Sequence, residues 1–423
     1  MRRRLIIGER IMYVDAETPL NCVFVVKIKG TILLENLRIA LAKIQQKHPL
    51  LRTRIKEDDA GVPHFVSSNN LSAIPLRMVE RLGEADWQEQ SKVEWKTLFE
   101  GESLPLARLV WIKGTECSEL LLVCPHCICD GTGFVALMSE MLQLLDHPEQ
   151  ELIPYPPFNS IEELLSSSFT SSTGKVLKTK VFAVLARLFF LLKSSKHKHP
   201  KGEGYLLNWK LTELETLTLA GACKDAGVTV HAALCVAFME AFQLVRGAKA
   251  QGKVICPVDV RHFVEEIKKD ALFAFAPIAE LALPKDKGKD FWAKATELKT
   301  ALKNKIAAMK VHELLVMSEY FHGSVNKMLK HLKTTDGGHD ITLSNMGRLR
   351  IAEHYDSFEV ETLYSPNVGF PWRNANTLVV STFKKRMDFT FLSNDSFLPE
   401  EEAKAIRDQA MELLKAEMMV SYA

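Results

Sequence analysis

Apolar residues along this chain switch between two periods, and the switches mark its elements. Asn21–Gly30 reads Cys-Val-Phe-Val-Val-Lys-Ile-Lys at its centre, an apolar run that predicts a strand. Leu34, Leu37, Leu41 and Ile44 then fall three and four apart. That spacing predicts a helix ending near His48-Pro49. Short strands are predicted at 53–56, 64–66 and 74–79, and a helix at 84–99 with Trp87, Val93 and Leu98. The runs at 106–113 and 119–125 predict a strand pair. From Gly133, Phe134, Leu137, Met138, Met141, Leu142 and Leu145 share one helical face.

The texture changes between 147 and 172. Pro148, Pro154, Pro156 and Pro157 precede a serine-rich run at 166–172, which reads as a linker. The segment 175–199 is apolar on most faces and edged with basic residues. Lys178, Lys180 and Arg187 interrupt it, so it reads as a helix over a domain junction, a basic interfacial helix, or a contact for a long acyl chain. The second half resumes with a strand at 206–211. A helix at 212–226 follows, with Thr212 and Glu215 as a capping box. Another helix is predicted at 229–245, and strands at 253–261 and 273–283. A long helix at 290–310 and a strand at 340–347 come next. A hairpin turns about Lys384-Lys385-Arg386, and the last helix opens at Pro399 with Glu400 to Glu402.

Length and charge narrow the class. The 423 residues are enough for two domains of about 200 residues. With 47% hydrophobic and 25% charged residues the composition is globular, and a net charge of +2 gives no case for nucleic acid. The eight cysteines lie mostly in apolar runs, as buried thiols do. Met1-Arg-Arg-Arg is basic, but only Leu5-Ile6-Ile7 follows before Gly8-Glu9, too little for a secretory signal. A reducing cytoplasm is the expected compartment, with contact to a membrane surface through 176–192 kept open.

The chemistry concentrates where the strand at 119–125 hands over to the helix at 133–145. Between them lie His126, Asp130 and Gly131. A histidine at a strand end is fixed by packing yet reaches a cleft, and it exchanges protons near neutral pH. Asp130 either orients the imidazole or anchors the loop. Gly131 allows a positive φ or a close backbone approach. Cys124, His126, Cys127 and Cys129 are zinc-ligand types, but alternation points them to opposite sides, and no second Cys/His cluster is legible. The sequence therefore assigns no metal. Cys127 as a nucleophile paired with His126 fails for the same reason, because adjacent side chains point apart.

His126-x-x-x-Asp130-Gly131 resembles the H-H-x-x-x-D-G signature of the chloramphenicol-acetyltransferase-like superfamily, with Pro125 in place of the first His. That group includes CoA-dependent acyltransferases, condensation domains and polyketide-associated acyltransferases. Three further landmarks match in order. His48-Pro-Leu-Leu-Arg52 resembles "HPxLR", Pro257-Val-Asp-Val-Arg261 resembles "PVDxR", and Ser344-Asn-Met-Gly347 resembles "SNxG". Gly369-Phe-Pro-Trp372 lacks the Asp of the "DFGWG" loop of plant acyltransferases and receives no role.

The resemblance implies a mixed α/β fold of two lobes with an active-site tunnel between them. An N-terminal lobe at 1–172 carries the HxxxDG motif, and a C-terminal lobe at 173–423 carries the PVDVR and SNMG segments. It implies His126 as general base and Asp130 held by Arg261 as a structural pair beside Gly131. Arg261 could instead meet a substrate carboxylate or CoA phosphate. Ser344, Asn345, Gly347 and, more weakly, Ser381 are candidates for oxyanion or substrate contacts. The implied enzyme is a free-standing monomeric acyltransferase with no bound cofactor. It would move an acyl group from acyl-CoA to a small alcohol or amine. The alternatives are a condensation enzyme using an acyl carrier protein, or a member of the fold that binds without turnover.

Overall fold

The computed structural model describes all residues except 1, 69, 102, 166–178, 183–184, 186–201, 285–287 and 421–423. In the first half β1 (Arg2–Arg4), α1 (Ile7–Tyr13), β2 (Asn21–Gly30) and α2 (Leu34–Lys47) lead to β3 (Thr53–Glu57), β4 (Pro63–Ser67) and β5 (Leu76–Glu80). Helix α3 (Asp86–Lys96), β6 (Arg108–Lys113), β7 (Cys117–Pro125) and α4 (Gly131–Asp146) follow. The second half runs through β8 (Gly204–Lys210), α5 (Glu213–Asp225), α6 (Val230–Arg246), β9 (Lys253–Pro257) and β10 (Ile278–Ala282). Then come α7 (Phe291–Ala308), α8 (Val311–Ser318), α9 (Val325–Thr334), β11 (Ile341–Arg348), β12 (Phe358–Leu363) and β13 (Asn367–Val368). Strands β14 (Thr377–Phe383) and β15 (Arg386–Asn394) and helix α10 (Glu400–Val420) complete the chain.

Two large sheets organise the molecule. The first runs β12-β2-β7-β6-β5 with β13 also on β2, and the second runs β10-β9-β11-β14-β15-β8. A small sheet, β1-β4-β3, sits beside the first and leaves β3 at an edge. The continuous apolar character of β2 and β7 has a physical cause, because both faces of these strands are covered. Phe24, Val26, Leu120 and Leu122 share a core with Leu37 and Leu41 of α2 and Phe134 and Met138 of α4. The alternate residues, Val23, Val25, Leu121 and Val123, meet Leu206, Val379 and Leu392 of the second sheet. The two lobes are thus joined by apolar packing directly behind the strand that ends at His126. Burying one such side chain is worth about 1.5–3 kcal/mol.

The capping box at 212–215 forms as the sequence implies, and two further caps are present. Thr212 and Glu215 form the reciprocal box at α5, and Thr229 and Asp290 accept from backbone N–H groups at α6 and α7. Residues Val230–Lys249 are apolar and long enough to cross a membrane. Here the apolar residues of α6, at 232–239 with Ala241 and Phe242, lie inside the second core, and the helix packs against α7 and α10.

Several expectations are corrected. The strand at 273–283 shrinks to β10, because Pro277 has no N–H and the Phe273 carbonyl accepts from Asp130 N instead of from a neighbouring strand. The strand at 253–261 stops at Pro257. Asp259 then caps a single 3₁₀ turn at Val260–His262. The stretch after 147 is not a loose linker up to 165, since Leu152, Phe158, Ile161 and Leu164 pack onto the first core. The serine-rich run lies outside the described residues, as does the 172/173 boundary. Most of 175–199 does too, with its junction, membrane and acyl-chain readings. The second half of the chain also closes the first lobe: β12 and β13 add to its sheet, and Val260, Leu272 and Phe273 enter its core.

Candidate active site

Strand β7 delivers His126 at the end of an antiparallel pairing in which Pro125 lies opposite Asn21. The loop is held by its own backbone. His126 N donates to Leu20 O at 2.8 Å, and Ile128 N donates to Pro125 O at 3.1 Å. The ring Nδ1 lies 2.9 Å from the Cys129 carbonyl. A carbonyl only accepts, so Nδ1 carries a proton, and in the neutral ring Nε2 is the nitrogen with the lone pair. The ring is half-buried and tilts against Phe370, with centroids 5.9 Å apart.

Asp130 anchors the loop. Its Oδ1 accepts from Gly133 N at 2.9 Å, capping α4, and its Oδ2 accepts from Arg261 Nη1. Arg261 also donates to Asp259 Oδ1 at 3.3 Å and to the Ala271 carbonyl at 2.8 Å. Thr132 closes the circuit by donating to Asp259 Oδ2 at 2.8 Å. Burial pulls the Asp130 carboxyl up, against the guanidinium and the Gly133 N–H. Burial opposes the Arg261 charge as well, but Asp130 and Asp259 outweigh it and hold the guanidinium above its ordinary range. The two glycines have distinct reasons. A Cβ on Gly133 would sit 3.0 Å from the Ala271 carbonyl and 3.2 Å from Arg261 Nη2. A Cβ on Gly131 would meet only the Met346 methyl, at 3.0 Å, so Gly131 serves a close approach rather than a positive φ.

That Met346 contact brings the Ser344–Gly347 segment against the His126 loop. Ser344 and Asn345 lie in β11, paired with Val379 and Val380 of β14. The Asn345 side-chain Oδ1 accepts from Gly347 N at 2.9 Å, and Gly347 takes φ +64°, so this segment is a built turn. Ser381 lies in β14, between the positions that pair with Asn345 and Arg348 of β11. It is buried and hydrogen-bonded to Ser365 Oγ at 2.8 Å, and Ser365 N in turn donates to Asp388.

Two cavities flank the loop. The larger, of about 810 Å³, is lined from both halves of the chain, by Asp15, Thr18, Trp95, Lys333, Phe370 and Trp372 among others. The smaller, of about 340 Å³, includes Leu20, Asn21, Pro125 and Cys127 in its wall. Asp15, Thr18 and Pro19 border both. Phe370, the ring neighbour of His126, faces the larger cavity, and the residues on either side of His126 face the smaller.

The condensation-domain family model matches residues 12–250. The chain belongs to the condensation-domain family. It is 32% identical over 148 residues to the hybrid PKS-NRPS synthetase tasS of Hapsidospora irregularis, a stretch covering 34% of this chain and only 4% of that synthetase. Its fold is similar to that of TRI3 trichothecene 15-O-acetyltransferase from Fusarium sporotrichioides, with a TM-score of 0.73 at 13% identity over 98% of this chain and 95% of the other. It is similar as well to the first condensation domain of the CDA synthetase, with a TM-score of 0.69 at 16% identity over 98% and 96% of the two chains. The two-lobed architecture of these proteins is the one described above.

Three features of this condensation-domain chain escaped the sequence reading. The loop at 369–372 supplies Phe370 and part of the large cavity wall. Its aromatic pair was the available signal. Lys47 and His48 both meet Glu140 of α4, with His48 Nε2 at 2.8 Å. Lys47 also donates to Asp270 at 2.7 Å, and Tyr155 to the same carboxylate at 2.6 Å. The "HPxLR" turn is therefore pinned to the loop that leads from Arg261 to Phe273, a link no local pattern displays. Finally, His231, Cys235 and Cys256 gather in the second lobe, where spacing along the chain had revealed no Cys/His cluster.

Proposed function

We propose that this condensation-domain member transfers an acyl group from a CoA thioester to a small alcohol or amine, with His126 as general base. The reading is supported above all by the His126 tautomer. Nδ1–H is engaged by the Cys129 carbonyl, which leaves Nε2 as the acceptor of the neutral ring, and the ring lies against Phe370 of the larger cavity's wall. In the proposed step Nε2 takes the proton of the acceptor O–H or N–H as that atom attacks the thioester carbonyl carbon. The tetrahedral intermediate then collapses, the C–S bond breaks, and the imidazolium returns the proton to the leaving thiolate. No covalent enzyme intermediate is needed when both substrates meet at His126. Asp130 and Arg261 hold the loop, and the turn at Asn345–Gly347 is the candidate source of donors to the oxyanion.

A CoA donor is favoured by the likeness to an O-acetyltransferase over nearly its whole length. The second reading, a donor on a carrier protein, is favoured by the 32% identity to part of a hybrid synthetase. The test is thiol release from a panel of acyl-CoAs with mixed alcohols and amines, comparing wild type with His126→Ala. Acceptor-dependent release that falls by about 10²–10⁴-fold in the variant supports the proposal. Release only from acyl carrier proteins transfers it to the second donor. Release unaffected by His126→Ala rejects the assigned base.

A further inference from the structure

The second lobe gathers one imidazole and two thiols around a common point. His231 and Cys235 lie four residues apart on α6, so the helix puts them on one face. Cys256 comes from β9, the strand beneath that helix. His231 Nε2 lies 3.2 Å from Cys256 Sγ and 3.6 Å from Cys235 Sγ. All three ligand atoms fall within 4.8 Å of one another.

We propose that His231, Cys235 and Cys256 form a binding site for a zinc-class divalent cation. Zn–S bonds of about 2.3 Å and Zn–N bonds of about 2.0–2.1 Å make tetrahedral edges of about 3.5 Å between N and S and about 3.8 Å between sulfurs. The two nitrogen–sulfur separations need adjustments of only a few tenths of an ångström, and the two sulfurs lie within 4.8 Å of each other. Charge fits as well. Both cysteines are fully buried, and two thiolates on one dication make a neutral group that a low-dielectric core tolerates. His231 is only half-buried, which leaves its side of the cluster open to water as a fourth ligand.

The site lies apart from His126 in sequence and element, but it has a route to it. Cys256 is followed within five residues by Asp259 and by Arg261, which donates to both Asp259 and Asp130. A cation there would staple β9 to α6 just before that clasp.

The test uses the full chain in metal-free buffer, titrated with Co(II) and then Zn(II). One cobalt per chain is expected, with thiolate-to-cobalt charge-transfer absorption in the near ultraviolet that zinc displaces. Zinc should raise the melting temperature. Cys235→Ser and Cys256→Ser should each abolish the charge-transfer band and weaken zinc binding by more than the about 10–100-fold typical of outer-shell changes. Cys223→Ser, buried in the same lobe outside the cluster, is the control that keeps both. If a cysteine variant fails to fold, His231→Ala at the half-buried helix start carries the same expectation. Cobalt or zinc bound equally by the variants overturns the site. So does a protein that takes up no metal, including one isolated with a Cys235–Cys256 disulfide found by peptide mapping, which would make the pair a redox couple. None of these readouts depends on acyl transfer, so the site and the proposed reaction fail separately.

Discussion

At the scale of single residues, Asp270 carries an electrostatic signature with a direct pH test. Burial pulls its carboxyl up, but hydrogen bonds from Lys47 and Tyr155 prevail and bring it to about 2, against an ordinary 3.8. Its folded value is lower than its unfolded one. The group therefore stabilises the fold above its ordinary range, and that contribution is lost as pH falls from 3.8 toward 2. Its side chain is 36% exposed, so solvent screens part of the gain. Asp270→Asn should melt lower than wild type at neutral pH, and the gap should close on acidification through this window. A gap that persists undiminished at the acid end would mean that the lost hydrogen bonds, not the charge, are what matters. His126 shows how far residue-level reading reaches. Its position at a strand end was legible, whereas its tautomer depends on the Cys129 carbonyl folding back over three residues.

At the scale of elements, two turns are informative. Lys384 and Lys385 adopt φ +47° and +58° between β14 and β15. This two-residue hairpin turn prefers Asn-Gly, and a side chain in the left-handed region costs about 1–2 kcal/mol. The double change Lys384→Asn, Lys385→Gly gives up the exposed Lys385–Glu213 contact, which solvent screens. The backbone relief wins, so chemical denaturation should show a net gain of about 1 kcal/mol. A loss would mean that the lysines hold the turn by contacts other than backbone preference. The start of α4 gives the opposite case. Gly133→Ala forces a methyl against the Ala271 carbonyl and Arg261, and overpacking of this kind costs about 1–3 kcal/mol. Gly131→Ala meets only the flexible end of Met346, so it should melt close to wild type. Equal destabilisation by the two would refute this account of the D-G-x-G segment. The sequence offered both glycines with no way to rank them, because the atoms they meet come from residues more than a hundred positions away.

At the scale of the whole molecule, the interlobe clasp decides the outcome. Arg261, from the second half of the chain, reaches Asp130, Asp259 and the Ala271 carbonyl, and its side chain is 3% exposed. Removing one partner of a buried pair costs about 3–5 kcal/mol, because the other charge is left uncompensated. Asp130→Ala and Arg261→Ala should each lower the melting temperature along with activity. The double variant should cost less than the sum of the two, as contacting residues do. An Asp130→Ala protein that melts like wild type but is inactive would give Asp130 a direct part in the chemistry. The same clasp explains why the halves of the chain do not segregate. Residues within 260–275 and strands β12 and β13 complete the first lobe, so that lobe draws on both halves of the chain, whereas among the described residues the second core draws on the second half alone.

The sequence by itself determined the elements whose cause is local. Helix periods, the Thr212, Thr229 and Asp290 caps, the doubly covered strands and the hairpin are all written in neighbouring residues. It also ordered the landmarks that put His126, Asp130 and Arg261 in one site. The tertiary structure decided what depends on partners far along the chain. The Phe273 carbonyl turned to Asp130 and ended a strand early. Glu140 gathered Lys47 and His48, and Phe370 came to the face of His126. Cys256 came beneath His231 because a helix packed on a strand. Backbone propensity acts over a few residues, whereas burial, ion pairing and ligand geometry are set only when distant segments are brought together.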